Sequence, residues 1–289
     1  MIIKVLVFFD KNFLLLIFFK HTVIIIRINF NYDIYFYLMS LALKRLLPSL
    51  YTFLKKYEKH IPASTLLWDK KKYYFNLKIV SQLNIWKSWP RLKREANLVF
   101  DIYDGGDFID IGAANGDYSF FFAPKAKEKS FFIQCEPDIN KKKSLIENLK
   151  LLSKKFNKIK IKYVFEPIGD GSFVKRNETE YGHPSYLDSS KSIETIASIK
   201  LDQLVKKFEI KPSFIKIDVE GTEYDVLQGA KNTLLNFSPT IMLEKHPTLL
   251  PKNITIEKID NFLNELNYYK YKLIFKDDIA INKLWKKSN

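Results

Sequence analysis

The chain has 289 residues, 47% of them hydrophobic and 15% aromatic, which supports a sizeable core and excludes global disorder. Its single cysteine, Cys135, excludes an internal disulfide and a cysteine metal cluster and points to a reducing, cytoplasmic setting, with Cys135 itself a small apolar residue on a strand. The net charge of +15 is carried mainly by lysines scattered in runs such as Lys70–Lys72, Lys141–Lys143 and Lys286–Lys287, so most of it reads as solvated surface and a nucleic-acid partner is disfavoured.

Residues 1–38 form a hydrophobic N-terminal extension whose apolar runs, Val5–Phe9, Phe13–Phe19 and Val23–Ile26, are broken by Asp10, Lys11, Lys20 and Arg27. No window of about 20 residues is free of charge, as a conventional membrane-spanning helix requires, and no small-residue cleavage site follows. Three readings stay open: a membrane-associated anchor, a β-rich or helical appendage, or an upstream translation ahead of a start at Met39. Residues 39–104 read as a helical cap region. Helical spacing runs over Leu41–Lys59, interrupted by Pro48; Lys71–Val80 alternates weakly as a strand; Pro90–Tyr103 reads as a helix stopped by Gly105-Gly106.

From residue 105 strands and helices alternate. Phe108–Ile111 is a short strand, apolar except for Asp110, followed by Gly112, Gly116 and a helix from Tyr118. Ser130–Cys135 is a strand ending in Glu136-Pro137-Asp138, Ile139–Leu152 an amphipathic helix, Ile159–Phe165 a strand and Gly169–Ser172 a turn. Residues 173–192 are polar and read as a loop or lid carrying His183. Then come a strand Ile193–Ile199, a helix Leu201–Phe208, a buried strand Ser213–Val219, a helix Tyr224–Phe237, a strand Thr240–Leu243 and a helix Ile254–Leu266. Tyr271–Phe275 and Ile279–Leu284 make a closing hairpin. The pattern predicts an α/β fold, a doubly wound, mainly parallel sheet with a C-terminal antiparallel hairpin.

Asp110, Glu136, Asp218 with Glu220, and Glu244 all stand at strand carboxyl ends, which converge on one crevice in a doubly wound sheet. The Asp110-x-Gly112-x-x-x-Gly116 turn is expected to set backbone N–H groups and a helix N-terminus around a ligand. It differs from the Gly-x-Gly-x-x-Gly dinucleotide fingerprint, which argues against a nicotinamide oxidoreductase. An acid ahead of the first glycine repels a pyrophosphate but accepts from a cationic or hydroxylated ligand. That favours S-adenosylmethionine (SAM), with its amino group, sulfonium and ribose hydroxyls; a glycine turn of any α/β protein is the plain alternative. Glu136 is then placed for the ribose hydroxyls, and Asp170 for the adenine amino group with Ile168 against the ring. Asp170 reads equally as a turn residue within Gly169-Asp-Gly171.

Phe214-Ile-Lys-Ile-Asp-Val-Glu-Gly-Thr-Glu223 is the second distinctive stretch. With it the sequence resembles the FkbM family of SAM-dependent methyltransferases from roughly Asp107 to Pro247. The resemblance rests on the Asp110-x-Gly112-Ala113 turn, Glu136-Pro137, Leu201-Asp202, Asp218-Val-Glu-Gly221, Val226-Leu-x-Gly-Ala230 and Leu243-Glu244. The family usually reads Gly-Ala-Asn-x-Gly where this chain has Gly112-Ala-Ala-Asn115-Gly116, so no ligand contact is carried over for Asn115. Nor is any substrate contact inherited for the region before about residue 90, which lies outside the match.

The resemblance implies a class I, Rossmann-like methyltransferase domain at 105–289, with SAM held by Asp110, Gly112, Ala113, Gly116, Glu136, Asp170 and Asp218. It implies methyl transfer to an oxygen, often a hydroxyl of a sugar or other small metabolite. Asp218 and Glu220 can orient that hydroxyl, take its proton or hold a cation, and alternation puts Lys216 on Asp218's face unless it reaches solvent. Glu244 and His246 are expected beside them; His246 has the pKa of a general base, with a structural role before Pro247 as the competing reading. Asp-x-Glu permits a metal without demanding one, and none is assigned. The competing functions are a nucleic-acid or other methyltransferase, suggested by charge alone, and a non-enzymatic basic protein binding a membrane surface through residues 1–38.

Overall fold

A computed structural model describes residues 97–177 and 192–288, together with Glu95 and segments 5–10, 12–19, 22–29, 64–68 and 73–77. The chain forms two compact units, Met1–Ala96 and Asn97–Asn289. In the first, β1 (Val5–Asp10), β2 (Asn12–Phe19) and β3 (Thr22–Asn29) pair antiparallel in that order. The β-branched run from Thr22 to Ile26, followed by Ile28, suits a strand better than a helix. A second antiparallel pair joins β4 (Ser64–Trp68) to β5 (Tyr73–Leu77), the latter lying inside the expected strand 71–80. The helix expected over Leu41–Lys59 and the loop residue His183 lie outside the described residues. Among the described residues no helix is long and apolar enough to cross a membrane.

The second unit runs β6 (Asp107–Ile111), α1 (Asp117–Phe122), β7 (Phe131–Cys135), α2 (Ile139–Lys155), β8 (Lys160–Val164), β9 (Phe173–Asn177), β10 (Ser192–Ala197) and α3 (Leu201–Phe208). It continues through β11 (Pro212–Ile217), α4 (Glu223–Gly229), α5 (Lys231–Phe237), β12 (Thr240–Lys245), α6 (Ile256–Glu265), β13 (Tyr268–Lys276) and β14 (Ile281–Lys287). Seven strands form one sheet in the order β13-β14-β12-β11-β6-β7-β8. β6, β7, β8, β11 and β12 pair in parallel, and β14 is antiparallel to both its neighbours. β13 therefore runs with the parallel set, and only the final strand is reversed. The chain winds from β6 out to β8 and returns on β6's other side at β11, so the point where strand order reverses lies between β6 and β11.

Side-chain alternation divides this sheet into two unlike faces. Ile109, Ile133, Ile215 and Ile241 are neighbours in register, and with Ile111, Ile217 and Leu243 they pack into an aliphatic core with Leu204, Leu227, Leu234, Ile259 and Leu263 from α3 to α6. The other face is aromatic. Phe108, Phe132 and Phe214 are in register, Phe122 of α1 stands edge-on to Phe108 at 4.6 Å, and Tyr103 stacks on Phe122 at 4.4 Å. Two residues further along, toward the strands' carboxyl ends, this same face carries the registered row Gln134, Asp110, Lys216 and Met242. An aromatic floor thus gives way to a buried polar row.

Three expectations are corrected. The strand read at 193–199 is β10, which pairs with β9 in a separate two-stranded ladder and not in the main sheet; the ends of the expected 173–192 loop are thereby strands. The single helix read over 224–237 is two, α4 and α5, broken at Ala230. Gly229 lies so close to Gly169 that a Cβ would sit 1.8 Å from its carbonyl oxygen. Past the break, the first N–H groups of α5 meet the Asp202 carboxylate, with Asn232 donating at 3.1 Å and Thr233 at 2.7 Å.

Candidate active site

β6 ends at Ile111 and the chain turns at once. Gly112 has φ +80, and a Cβ there would lie 1.8 Å from the Asp218 carbonyl oxygen, so a residue without a side chain is required for the turn to pass the end of β11. Gly112 and Ala113 N–H donate to the Cys135 carbonyl at 2.9 and 3.0 Å, and Asp218 N–H donates to the Ile111 carbonyl at 3.0 Å. Gly116, with φ +82, is the N-cap of α1 and its N–H donates to Ala113. These turn N–H groups lace β6, β7 and β11 together. At Gly112, Ala113 and Gly116 the expected donor cradle is therefore engaged internally, and what the turn contributes there is shape.

Glu136, directly after β7, is buried and fixed at both oxygens: Ala114 N–H donates to Oε2 at 2.8 Å and Asp138 N–H to Oε1 at 2.9 Å. Burial holds its pKa above the usual carboxylate range despite those bonds. Asp110 is 0% exposed, and neither of its oxygens makes a well-formed hydrogen bond among the described residues. Its Oδ1 lies 3.3 Å from Lys216 Nζ. Burial pushes the Asp110 carboxyl up to about 6, against the pull of Lys216.

Lys216 does not reach solvent. Its ammonium donates to the Gly112 carbonyl at 3.0 Å and lies 3.4 Å from Asp218 Oδ2. Burial alone lowers its pKa, but Asp110 and Asp218 outweigh burial and keep it above the ordinary lysine value. A buried carboxylate with open acceptor positions, a second one pinned nearby and a fixed cation suit a ligand that brings hydroxyls and an amine.

Beside this crevice Asp218, whose side chain is 30% exposed, meets two residues from the end of β12. His246 Nε2 is 3.8 Å from Asp218 Oδ1 and 3.7 Å from Glu244 Oε1. The other ring nitrogen, Nδ1, is 3.0 Å from Oε1 of Glu223, which is 0% exposed and also accepts from Gly221 N–H at 3.0 Å. Burial lowers the imidazole's pKa, but the Glu223 bond and the two other carboxylates outweigh it, and His246 is held above the ordinary histidine value. Glu244 is tied from β14, where Asn282 donates to Oε2 at 3.1 Å.

The structure thus brings Asp110, Gly112, Ala113, Gly116, Glu136, Lys216, Asp218, Glu244 and His246 to one end of the sheet. Glu220 takes a left-handed φ of 52 beside Gly221, at the bend between β11 and α4, and is not among the three residues whose donor atoms lie within 4.8 Å of one another. Asp170 stands on the Gly169–Ser172 turn, where the Ser172 hydroxyl, with the Ser172 N–H donating at 2.9 Å, keeps its pKa below the usual range, as in a turn residue. Sequence reasoning missed Glu223 and Asn282. Glu223 closes the quoted 214–223 stretch, but its contact to His246 depends on the Gly221 bend; Asn282 reaches Glu244 across 38 residues of sequence.

A sequence model of the methyltransferase FkbM domain matches residues 110–270. Over 70 residues the chain is 40% identical to the hexuronic acid methyltransferase AglP of Haloferax volcanii, covering 23% of this chain and 28% of that protein. The chain thus spans under a third of that relative's length. Among solved structures it is similar to the methyltransferase FkbM of Methylobacillus flagellatus, with a TM-score of 0.47 and 16% identity over 71% of this chain and 52% of that one. Fibrillarin of Aeropyrum pernix, crystallised with natively bound SAM, has a TM-score of 0.42 and 11% identity over 68% and 76% of the two chains. The sheet order, with its single reversed strand between β12 and β13, is that of a Rossmann-like class I methyltransferase. The family match covers more than half of the chain and runs from Asp110 through the crevice to beyond His246; the chain belongs to the FkbM methyltransferase domain family.

Proposed function

We propose that the chain is a SAM-dependent O-methyltransferase whose acceptor is a hydroxyl of a glycan or small metabolite. The observation that carries the proposal is Asp110, a wholly buried carboxylate whose oxygens lack well-formed hydrogen bonds at the carboxyl end of the central strand. A buried acceptor left open is costly unless a ligand donates to it. When bound, SAM supplies a methyl group activated by a cationic sulfur. Asp110 accepts from the ligand's amino group, and Glu136, held by Ala114 and Asp138, takes the ribose hydroxyls. Asp170 and Ile168 are proposed for the adenine end. Lys216 locks the Gly112 carbonyl and so fixes the turn that shapes the pocket.

The acceptor hydroxyl enters where Asp218 is partly open, and Asp218, Glu244 and His246 orient its oxygen and receive its proton. The stretch shared with a hexuronic acid methyltransferase favours a sugar-type acceptor over a nucleic acid. Calorimetric titration of the full chain with S-adenosylhomocysteine tests the reading. Saturable binding is expected, weakened at least about tenfold by Asp110→Asn and by Glu136→Ala, each of which removes a charged hydrogen-bond partner. Asp218→Asn should retain most affinity and reduce methyl transfer from labelled SAM into fractionated lysate. Absence of saturable binding by the wild-type chain, or equal affinity in all three variants, would refute the site.

A further inference from the structure

The group formed by Asp218, Glu244 and His246 has a feature that proton transfer to a single base leaves unexplained. Each side chain is held at one atom, and one further donor atom of each lies close to the other two. Asp218 has Oδ2 3.4 Å from Lys216 Nζ, leaving Oδ1. Glu244 accepts from Asn282 at Oε2, and its Oε1 lies 3.7 Å from His246 Nε2. His246 has Nδ1 bonded to Glu223, leaving Nε2. The three donor atoms lie within 4.8 Å of one another.

His246 is 6% exposed, and among the described residues its Nε2 makes no hydrogen bond. The acceptors facing it, at 3.7 and 3.8 Å, are well beyond the roughly 2.7–3.2 Å of an N–H···O bond. A buried ring nitrogen facing two carboxylate oxygens, and too far from either to hydrogen-bond, leaves room for an ion among the three donor atoms. At bond lengths of roughly 2.1 Å, neighbouring corners of an octahedron are about 3.0 Å apart and opposite corners about 4.2 Å. The measured 3.7 and 3.8 Å are wider than adjacent corners, so a bound octahedral ion draws both oxygens in toward Nε2 by under an ångström. The buried carboxylate behind the imidazole and the amide behind the glutamate are the outer supports that metal ligands require, because they fix the tautomer and the direction of the lone pairs.

We propose that Asp218, Glu244 and His246 form a binding site for an octahedral divalent cation of the Mn2+ class. Two carboxylate oxygens and one imidazole nitrogen suit an ion that accepts hard oxygen and borderline nitrogen together. Three protein ligands leave coordination positions open on the side where Asp218 is partly exposed. The acceptor oxygen would enter there, a placement that rests on the methyltransferase reading, whereas the cation site itself does not. A hydroxyl coordinated at that position is more acidic than a free one; with the ion bound, the three ligands orient its oxygen through the metal and its proton passes to solvent at the open face in place of the direct transfer to them.

The test is Mn2+ titrated into full-length protein stripped with EDTA, followed by loss of the free-ion EPR signal. One saturable ion per chain is expected, with affinity falling at least about tenfold in Asp218→Asn and in Glu244→Gln. Asp278→Asn, an exposed carboxylate on the β13–β14 turn, should leave uptake unchanged. Pulsed EPR of bound Mn2+ should show modulation from an imidazole nitrogen, a signal read on wild-type protein that needs no variant to fold. No saturable uptake, uptake indifferent to both acidic substitutions, or bound Mn2+ without the nitrogen signal would each overturn the site. An S-adenosylhomocysteine titration on the same preparation separates the two claims. Nucleoside binding without Mn2+ uptake removes the cation and leaves the methyltransferase reading; Mn2+ uptake without nucleoside binding does the reverse.

Discussion

Asp110 and Lys216 share one registered pair of positions on β6 and β11, and their chemistry is set by how completely that pair is buried. Burial raises the Asp110 pKa to about 6 even with an ammonium 3.3 Å away. The folded-state value lies above the unfolded one, so by linkage Asp110 contributes stability below pH about 4, and that contribution is lost as the pH rises through about 6. Ligand binding has the opposite sign, because only the ionised carboxylate accepts from an amine with both oxygens. The affinity for S-adenosylhomocysteine is therefore expected to be constant above pH 7 and to fall by roughly tenfold near pH 5. Asp110→Asn should bind weakly at every pH and show a flat profile. Calorimetry between pH 5 and 8 measures both, and a flat wild-type profile would show that Asp110 is not the acceptor. Strand alternation put Lys216 on Asp218's face with solvent as the competing reading; its pairing with Asp110 depends on the register of β6 against β11, which the sequence does not display. Nor was Glu223 legible there, because nothing in its spacing signals that the positive-φ bend at Gly221 will carry it under His246.

Among the elements, α4 and α5 show where periodicity misleads. Tyr224, Val226, Leu227, Ala230 and Leu234 have the spacing of one apolar helical face, and all lie in or against the core. The break at Ala230 answers instead to two tertiary contacts: Gly229 packed on the Gly169 carbonyl, and Asp202 of α3 capping α5 from outside its own segment. Asp202 Oδ1 also accepts from the Thr233 hydroxyl at 2.7 Å. A helix N-terminus capped by a carboxylate from a distant element is a packing device, and the Leu201-Asp202 pair of the family resemblance acquires a structural meaning through it. Asp202→Ala leaves two backbone N–H groups at the start of α5 without their acceptor and is expected to cost about 1–2 kcal/mol. Urea denaturation reads this as a lower midpoint with unchanged slope, and S-adenosylhomocysteine affinity should not change, since the Asp202 carboxylate is engaged by Asn232 and Thr233 and by none of the crevice residues. An unaltered midpoint would mean that solvent replaces the cap at no cost.

At the scale of the whole molecule, the parallel order of the sheet followed from alternating strands and helices, but the place of the final strand did not. β14 inserts between β12 and β13, burying Trp285 beside Ile241 and setting Asn282 opposite Glu244. A hairpin pattern is symmetric in sequence, and only burial distinguishes its inner arm: β14 hides Leu284 and Trp285, whereas β13 exposes Tyr269, Tyr271 and Leu273 at the edge. That edge carries Lys270, Lys272 and Lys276, charges that discourage pairing with another chain. The last strand thereby supports the site assembled by the first ones, and every group proposed to hold a ligand, from Asp110 to His246, with the tethers Glu223 and Asn282, belongs to the unit Asn97–Asn289. A fragment of residues 97–289 retains the complete sheet and both cores. It is expected to unfold cooperatively and to bind S-adenosylhomocysteine within about twofold of the full chain, a difference of roughly 0.4 kcal/mol. Replacing Trp285 by Ala in the same fragment removes the largest buried side chain of the inner arm and should cost about 3–5 kcal/mol. Affinity should then fall with the folded fraction, not through the pocket. Calorimetry paired with denaturation separates these outcomes: a stable fragment that binds at least tenfold more weakly would assign part of the ligand site to residues 1–96.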